Sequence, residues 1–141
     1  MQIRLYQKSD RPFLRRLYLA ARKTAFHWRD TSHYQPRDFD RATLGEEIWV
    51  AEENGIPLGF VSIHRAEDFI HNLYVDPAQQ TRGIGSTLLK QAESTFRTTG
   101  ALKCLVRNEP ALMFYQRHGW RIISQGGEGD DAYYLLHSAA R

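Results

Sequence analysis

The apolar positions change period several times along the chain, and each change marks an element. Gln2, Ile3, Arg4, Leu5 and Tyr6 alternate polar and apolar, the period of a strand. Ser9 or Asp10 is placed to cap a helix with Pro12 in its first turn, and Phe13, Leu14, Leu17, Tyr18 and Ala21 then follow at helical spacing. From Thr24 to Pro36 the pattern dissolves into a polar and aromatic stretch, a loop or irregular helix. Two apolar runs, residues 48–53 and 57–64, flank Asn54-Gly55, the dipeptide of a tight hairpin. Residues 68–75 form a third strand, closed by Asp76-Pro77. Leu88, Leu89, Ala92 and Phe96 then mark the buried stripe of a helix expected to stop near Gly100. Residues 102–106 read as a strand, and 110–118 as a short helix stopped by Gly119. Two short strands, 120–124 and 132–137, finish the chain. This order predicts an α/β fold, a mixed sheet with helices on its faces.

Composition narrows the class without naming a chemistry. The chain has 141 residues, 42% hydrophobic and 25% charged, with no repeat, low-complexity tract or dividing linker. Residues 1–141 are therefore expected to form a single domain. The one cysteine, Cys104, excludes an intramolecular disulfide. No segment resembles a signal peptide and no apolar run approaches the ~20 residues that span a bilayer, so a cytoplasmic location is expected, with no membrane partner. Nineteen basic residues against 16 acidic leave a net charge of +3, which favours an anionic ligand without demanding nucleic acid. His27 and His33 stand six apart with no third ligand in view, so no metal is expected.

The stretch Gln80-Thr81-Arg82-Gly83-Ile84-Gly85-Ser86 carries two glycines where a strand hands over to a helix. Helix N-termini bind phosphate through unpaired N–H groups. It is not a P-loop, because Gly85 runs into Ser86 with no lysine. It is not a dinucleotide fingerprint either, since Leu88 takes the place of the third glycine. Residues 80–85 do match the pattern Gln/Arg-x-x-Gly-x-Gly/Ala, and Asn108, Ala111, Phe114, Tyr115, Gly119 and Trp120 match Asn-x-x-Ala-x-x-Phe-Tyr-x-x-x-Gly-aromatic. With both motifs in this order, the chain resembles the GNAT superfamily of acyl-CoA-dependent N-acetyltransferases, firmly from about Ile48 to Trp120.

The resemblance implies a GNAT fold, a sheet of about six to seven strands whose central strands splay to open a slot for acetyl-CoA. It places Leu73, Tyr74 and Val75 along the pantetheine arm, with a backbone N–H there polarising the thioester carbonyl. Gln80, Thr81, Arg82, Gly83, Ile84, Gly85, Ser86 and Thr87 fall at the pyrophosphate, with Asn108, Ala111, Phe114 and Tyr115 facing them from the second motif. Small residues at Gly83 and Gly85 let the backbone approach a bulky group, and Arg82, Ser86 and Thr87 supply charge and hydroxyls.

Tyr115 is the candidate general acid for the departing CoA thiolate. The glutamate that serves some family members as base, five residues before the motif asparagine, is here Lys103. The remaining base candidates are Glu67, Asp68 and His71, with His71 the best matched by its ordinary pKa, and a base acting through water as an equal alternative. Phe26, Trp28 and Tyr34 lie where the acceptor wall is expected, and Glu46, Glu47 or Asp30 would attract an amine. Cys104 is expected to be buried rather than acyl-carrying. The expected reaction is direct transfer of acetyl to a primary amine of a small molecule or protein. A non-catalytic acyl-CoA sensor is the alternative. Monomer and homodimer both remain open, with Tyr133–Leu136 serving either the core or a dimer face.

Overall fold

The computed structural model describes residues 1–79 and 82–139. Seven strands form one sheet: β1 (Gln2–Leu5), β2 (Glu47–Glu53), β3 (Ile56–His64), β4 (Phe69–Val75), β5 (Ala101–Leu105), β6 (Arg121–Gly126) and β7 (Tyr133–His137), in the spatial order β1-β2-β3-β4-β5-β7-β6. Only the β4–β5 pair is parallel. Its ladder is just two residue pairs long, Phe69 with Ala101 and Ile70 with Leu102. Beyond Leu102, β5 stays with β7 while β4 stays with β3, so the sheet opens between its middle strands.

Among the described residues, four α-helices flank the sheet: α1 (Arg11–Ala25), α2 (Asp38–Ala42), α3 (Ile84–Thr95) and α4 (Glu109–Arg117). One sheet face packs Leu14, Leu17 and Tyr18 of α1 and Phe39 of α2 against Ile48, Val50 and Phe60. On the other, Ile84, Leu88, Leu89 and Ala92 of α3 pack against Val61, Ile63, Ile70 and Leu102, with α4 alongside. Strand alternation sends Tyr74 to the α1 face and its neighbours Leu73 and Val75 to the α3 face.

The hairpin forms where Asn54-Gly55 predicts it, with φ of 53° and 79° at the two turn residues. Three expectations shift. α2 has no counterpart in the periodicity, because five residues with one buried side chain, Phe39, carry no repeat. α3 ends at Thr95 rather than near Gly100: Phe96 turns out of the helix into the core, and the Asp68 carboxylate accepts from the N–H groups of Arg97 and Thr98 at 2.8 and 3.2 Å. β7 is hydrogen-bonded on both edges and Leu136 is fully buried, so the 133–136 segment is an inner strand of the sheet and the edge strand on that side is β6.

Candidate active site

A cleft of about 450 Å³ passes through the opening between β4 and β5. Its walls come from both sides of the sheet. Ala21, Thr24, Ala25, His27 and Trp28 close it at the C-terminal end of α1. Leu73, Tyr74 and Val75 form one side, and Gly85, Asn108, Ala111, Phe114 and Tyr115 form the other. The second motif and the strand expected to carry the pantetheine thus meet, as does one residue of the glycine loop. The volume lies within the ~300–1,000 Å³ range of small-ligand sites.

The glycine loop shows why its residue types matter. Gly83 is the N-cap of α3 with φ of 75°, a left-handed conformation that a side chain disfavours. The first hydrogen bond of the helix runs from Thr87 N to Gly83 O at 3.1 Å, leaving the N–H groups of Ile84, Gly85 and Ser86 without acceptors among the described residues. A Cβ on Gly85 would stand 3.5 Å from Phe114 Cζ and 3.7 Å from Val75 Cγ2, inside the cleft rather than against the core. Free N–H groups and an open approach are what a pyrophosphate requires, so acetyl-CoA fits the residues present. The other loop residues are committed within the protein. Arg82 donates to Gln79 and pairs with Glu53 at 2.6 Å, and it does not line the cleft. Ile84 is buried in the core. The Thr87 hydroxyl donates back to Gly83 O at 2.9 Å, and the Ser86 hydroxyl meets His118 at 2.9 Å. Gln80 and Thr81 lie outside the described residues. Asn108 caps α4, accepting from Ala111 N at 3.4 Å.

Tyr115 sits at the floor of the cleft, packed against Phe114 and Trp120. Burial pushes its phenol well above the usual tyrosine range, and neighbouring Cys104 and Tyr74 add to the effect. It therefore stays protonated, a donor and not a base, and its hydroxyl has no hydrogen-bond partner among the described residues. Burial also pushes the Cys104 thiol up to about 11, which keeps it a thiol.

The base candidates separate by their partners. Asp68 is 3% exposed. Burial works against its charge, but the N–H groups of Arg97 and Thr98 and the Arg65 guanidinium outweigh this and hold its carboxyl below the usual range. It is a structural anchor, not a base. Glu67 is exposed beside His64. Glu47 accepts from Trp49 Nε1 at 2.9 Å and pairs with Arg65, and Asp30 accepts from Ser32 N. His71 occupies a bulge: Ser62 pairs with Asn72 and Ile63 with Ile70, so His71 has no partner across the strand. Its Nδ1 contacts Glu46 Oε2, and its ring stacks on His64 at 5.7 Å. The Glu46 side chain is 5% exposed and its Oε1 has no hydrogen-bond partner among the described residues. His71 is not part of the cleft lining.

The three expected acceptor residues also part company. Trp28 lines the cleft, with Phe26 edge-on to it at 5.7 Å. Tyr34 lines a second cleft of about 330 Å³ with Tyr18, Arg22, Asp38 and Arg41. There the Arg22 guanidinium lies 4.0 Å from the Tyr34 ring and 4.3 Å from that of Tyr18. Tyr18 packs edge-on against Tyr74 at 5.3 Å, so the Tyr18–Tyr74 pair spans from the second cleft to the first. Sequence reasoning missed Thr24, Ala25, His27, Arg107 and Arg117 in the cleft lining. Arg107 immediately precedes the second motif and Arg117 lies within it, so their charge could have marked them.

A sheet opened at its one parallel pair, with a helix N-terminus and a tyrosine at the opening, is the arrangement that an acyl-CoA-dependent transferase needs. A sequence profile described as acetyltransferase (GNAT) domain matches residues 45–122, more than half of the chain, which therefore belongs to that family. The chain is 32% identical over 127 residues to the peptidyl-lysine N-acetyltransferase YiaC of Escherichia coli strain K12, covering 86% of this chain and 84% of that one. It is 28% identical over 145 aligned positions to the L-amino acid N-acyltransferase MnaT of the same strain, covering 89% and 82%. The PaiA N-acetyltransferase of Thermoplasma acidophilum, solved in complex with coenzyme A, superposes with a TM-score of 0.79 at 17% identity over 98% of this chain and 99% of that one, a likeness of fold. The protein is an acetyl-CoA-dependent N-acetyltransferase.

Proposed function

We propose that residues 1–141 act as one domain that transfers acetyl from acetyl-CoA to a primary amine by direct attack, with Tyr115 as general acid. The amine nitrogen bonds to the thioester carbonyl carbon, the tetrahedral intermediate expels the CoA sulfur, which takes the Tyr115 proton, and the proton that the nitrogen sheds on becoming an amide restores the phenol. Leu73, Tyr74 and Val75 carry the pantetheine, and the free N–H groups at Ile84, Gly85 and Ser86 receive the pyrophosphate. One observation carries the reading: a phenol kept protonated by burial lines the cleft where the strands part. The thiol of Cys104, held neutral, speaks against a covalent acyl-enzyme.

His71, held by Glu46, is the base that takes the acceptor's ammonium proton, working through water because it stands outside the cleft lining. The acceptor enters from the α1–α2 face, past Trp28 and the Tyr18–Tyr74 pair. The named acceptors of the two relatives, peptidyl-lysine and an L-amino acid, set the first amines to try. The test is thiol release from acetyl-CoA against a panel of such amines. Tyr115→Phe is expected to lower kcat on the best acceptor by about 10²-fold or more, with CoA affinity changed little. An unchanged kcat removes Tyr115 from the acid role.

A further inference from the structure

His118 follows the last residue of α4 and joins that helix to the first turn of α3. Its Nδ1 lies 2.8 Å from the carbonyl oxygen of Phe114, and its Nε2 lies 2.9 Å from the Ser86 hydroxyl. A carbonyl oxygen only accepts, so Nδ1 carries the proton. In the neutral ring Nε2 is then an acceptor, and the Ser86 O–H must donate to it. A hydroxyl has one proton. While Ser86 spends it on His118, it presents only lone pairs to an arriving phosphate, which repel rather than bind.

Protonation reverses this. With both ring nitrogens protonated, the bond to Phe114 is kept and Nε2 donates to the Ser86 oxygen, freeing the hydroxyl proton to turn outward. The same event places a positive charge on the first turn of α3, where the N–H groups of Ile84, Gly85 and Ser86 have no acceptor among the described residues. We infer that His118 takes up a proton as the acyl-CoA pyrophosphate docks, releasing the Ser86 hydroxyl to the phosphate. The inference rests on the donor site proposed above, and within it His118 is a positioning residue acting through Ser86.

The charged surroundings leave the ligand as the anionic partner. The His118 ring packs on Phe114 at 4.5 Å. On its own segment the neighbouring charges are Arg117, which lines the cleft, and Arg121 at the start of β6. On α3, Lys90 lies one turn beyond Ser86, and Glu93 accepts from Trp120 Nε1 at 2.8 Å. No carboxylate pairs with His118 among the described residues. An approaching diphosphate adds the missing negative charge, and the proton equilibrium of the ring must respond to it.

The experiment measures binding of dephospho-CoA by calorimetry between pH 5.5 and 8.5. This probe keeps the diphosphate but lacks the 3′-phosphate, whose own titration near pH ~6 would imitate the effect. Expected is a Kd roughly tenfold lower at the acid end, where the proton that accompanies binding is readily supplied. Buffers of different ionisation enthalpy should show net proton uptake near neutrality. His118→Gln keeps hydrogen-bonding capacity without a titrating ring and should flatten the pH dependence, whereas Ser86→Ala should bind more weakly yet still take up the proton. In the unmodified protein, the His118 ring followed by NMR should titrate at higher pH with ligand than without. An identical pH slope in His118→Gln, or a ring titration indifferent to ligand, overturns the inference while leaving the donor site standing. Failure of dephospho-CoA to bind at any pH overturns both.

Discussion

Gly83 and Gly85 stand one residue apart and are needed for different reasons. At Gly83 the backbone is left-handed with open space where a Cβ would go, so Gly83→Ala should cost about 1 kcal/mol of stability and leave the cleft clear. At Gly85 the Cβ would meet Phe114 and Val75 only at ordinary contact distances, and alanine is the better helix former by up to ~1 kcal/mol. Gly85→Ala should therefore unfold at the same or higher urea concentration and still bind CoA, as the Gly/Ala choice in the motif implies. Gly85→Leu should bind it roughly tenfold more weakly or worse, because a bulky side chain fills the ligand's path. Urea titration and calorimetry on the three variants check this. Equal loss of stability and affinity in Gly83→Ala and Gly85→Leu would show that the two glycines share one role. Both were legible as phosphate-loop residues because a helix-entry motif is local in sequence, and Asn108 and Tyr115 were legible for the same reason. The Glu46–His71 contact was not, because it joins residues 25 apart through a bulge that no periodicity announces. Nor was the Arg82–Glu53 pair, because a sequence shows the charge of Arg82 but not the carboxylate across the turn.

At the scale of elements, the splay depends on where β4 begins and α3 ends, and Asp68 fixes both. Its carboxylate takes the N–H groups of Arg97 and Thr98 and the Arg65 guanidinium, while its own backbone sits at φ of 48° and its carbonyl accepts from Ala101 N at 3.2 Å. It thereby ties the β3–β4 turn to the segment leading into β5, at the end of the sheet where those strands still pair. Asp68→Asn should destabilise the protein at pH 7 by on the order of 2–4 kcal/mol, the range for breaking a buried charged network. Because the folded carboxyl is held below its ordinary value, its contribution is fully present above the unfolded pKa and is lost as pH falls through the folded one. The stability gap between Asp68→Asn and the parent should accordingly shrink as urea unfolding is repeated from pH 7 towards pH 3. A gap that persists undiminished would assign the loss to shape, not charge. Strand and helix identities along this stretch follow from periodicity, but the stop at Thr95 does not, since it depends on a carboxylate from before β4.

Across the whole molecule, the cleft is lined by residues of both cores. Leu73 and Val75 belong to the core under α3, Tyr74 to the core under α1, and all three line the same opening. A ligand threaded there touches the C-terminal turns of α1 on one face and α4 on the other, segments about 90 residues apart in sequence. Acetyl-CoA should consequently act as a cross-brace. At 100 times its Kd it adds about 2.7 kcal/mol to unfolding by mass action, which for a chain of this size raises Tm by roughly 5–10 °C. The placement of that stabilisation is the more searching measurement. Amide exchange should slow on ligand binding in residues 21–28 and in residues 108–117 together, because both walls must open before the ligand leaves. Protection confined to the α4 side would mean that the ligand lies on one face of the sheet and does not pass through it. In that case the acceptor could not reach the thioester from the α1 side, and Trp28 and the Tyr18–Tyr74 pair would lose their place along its route.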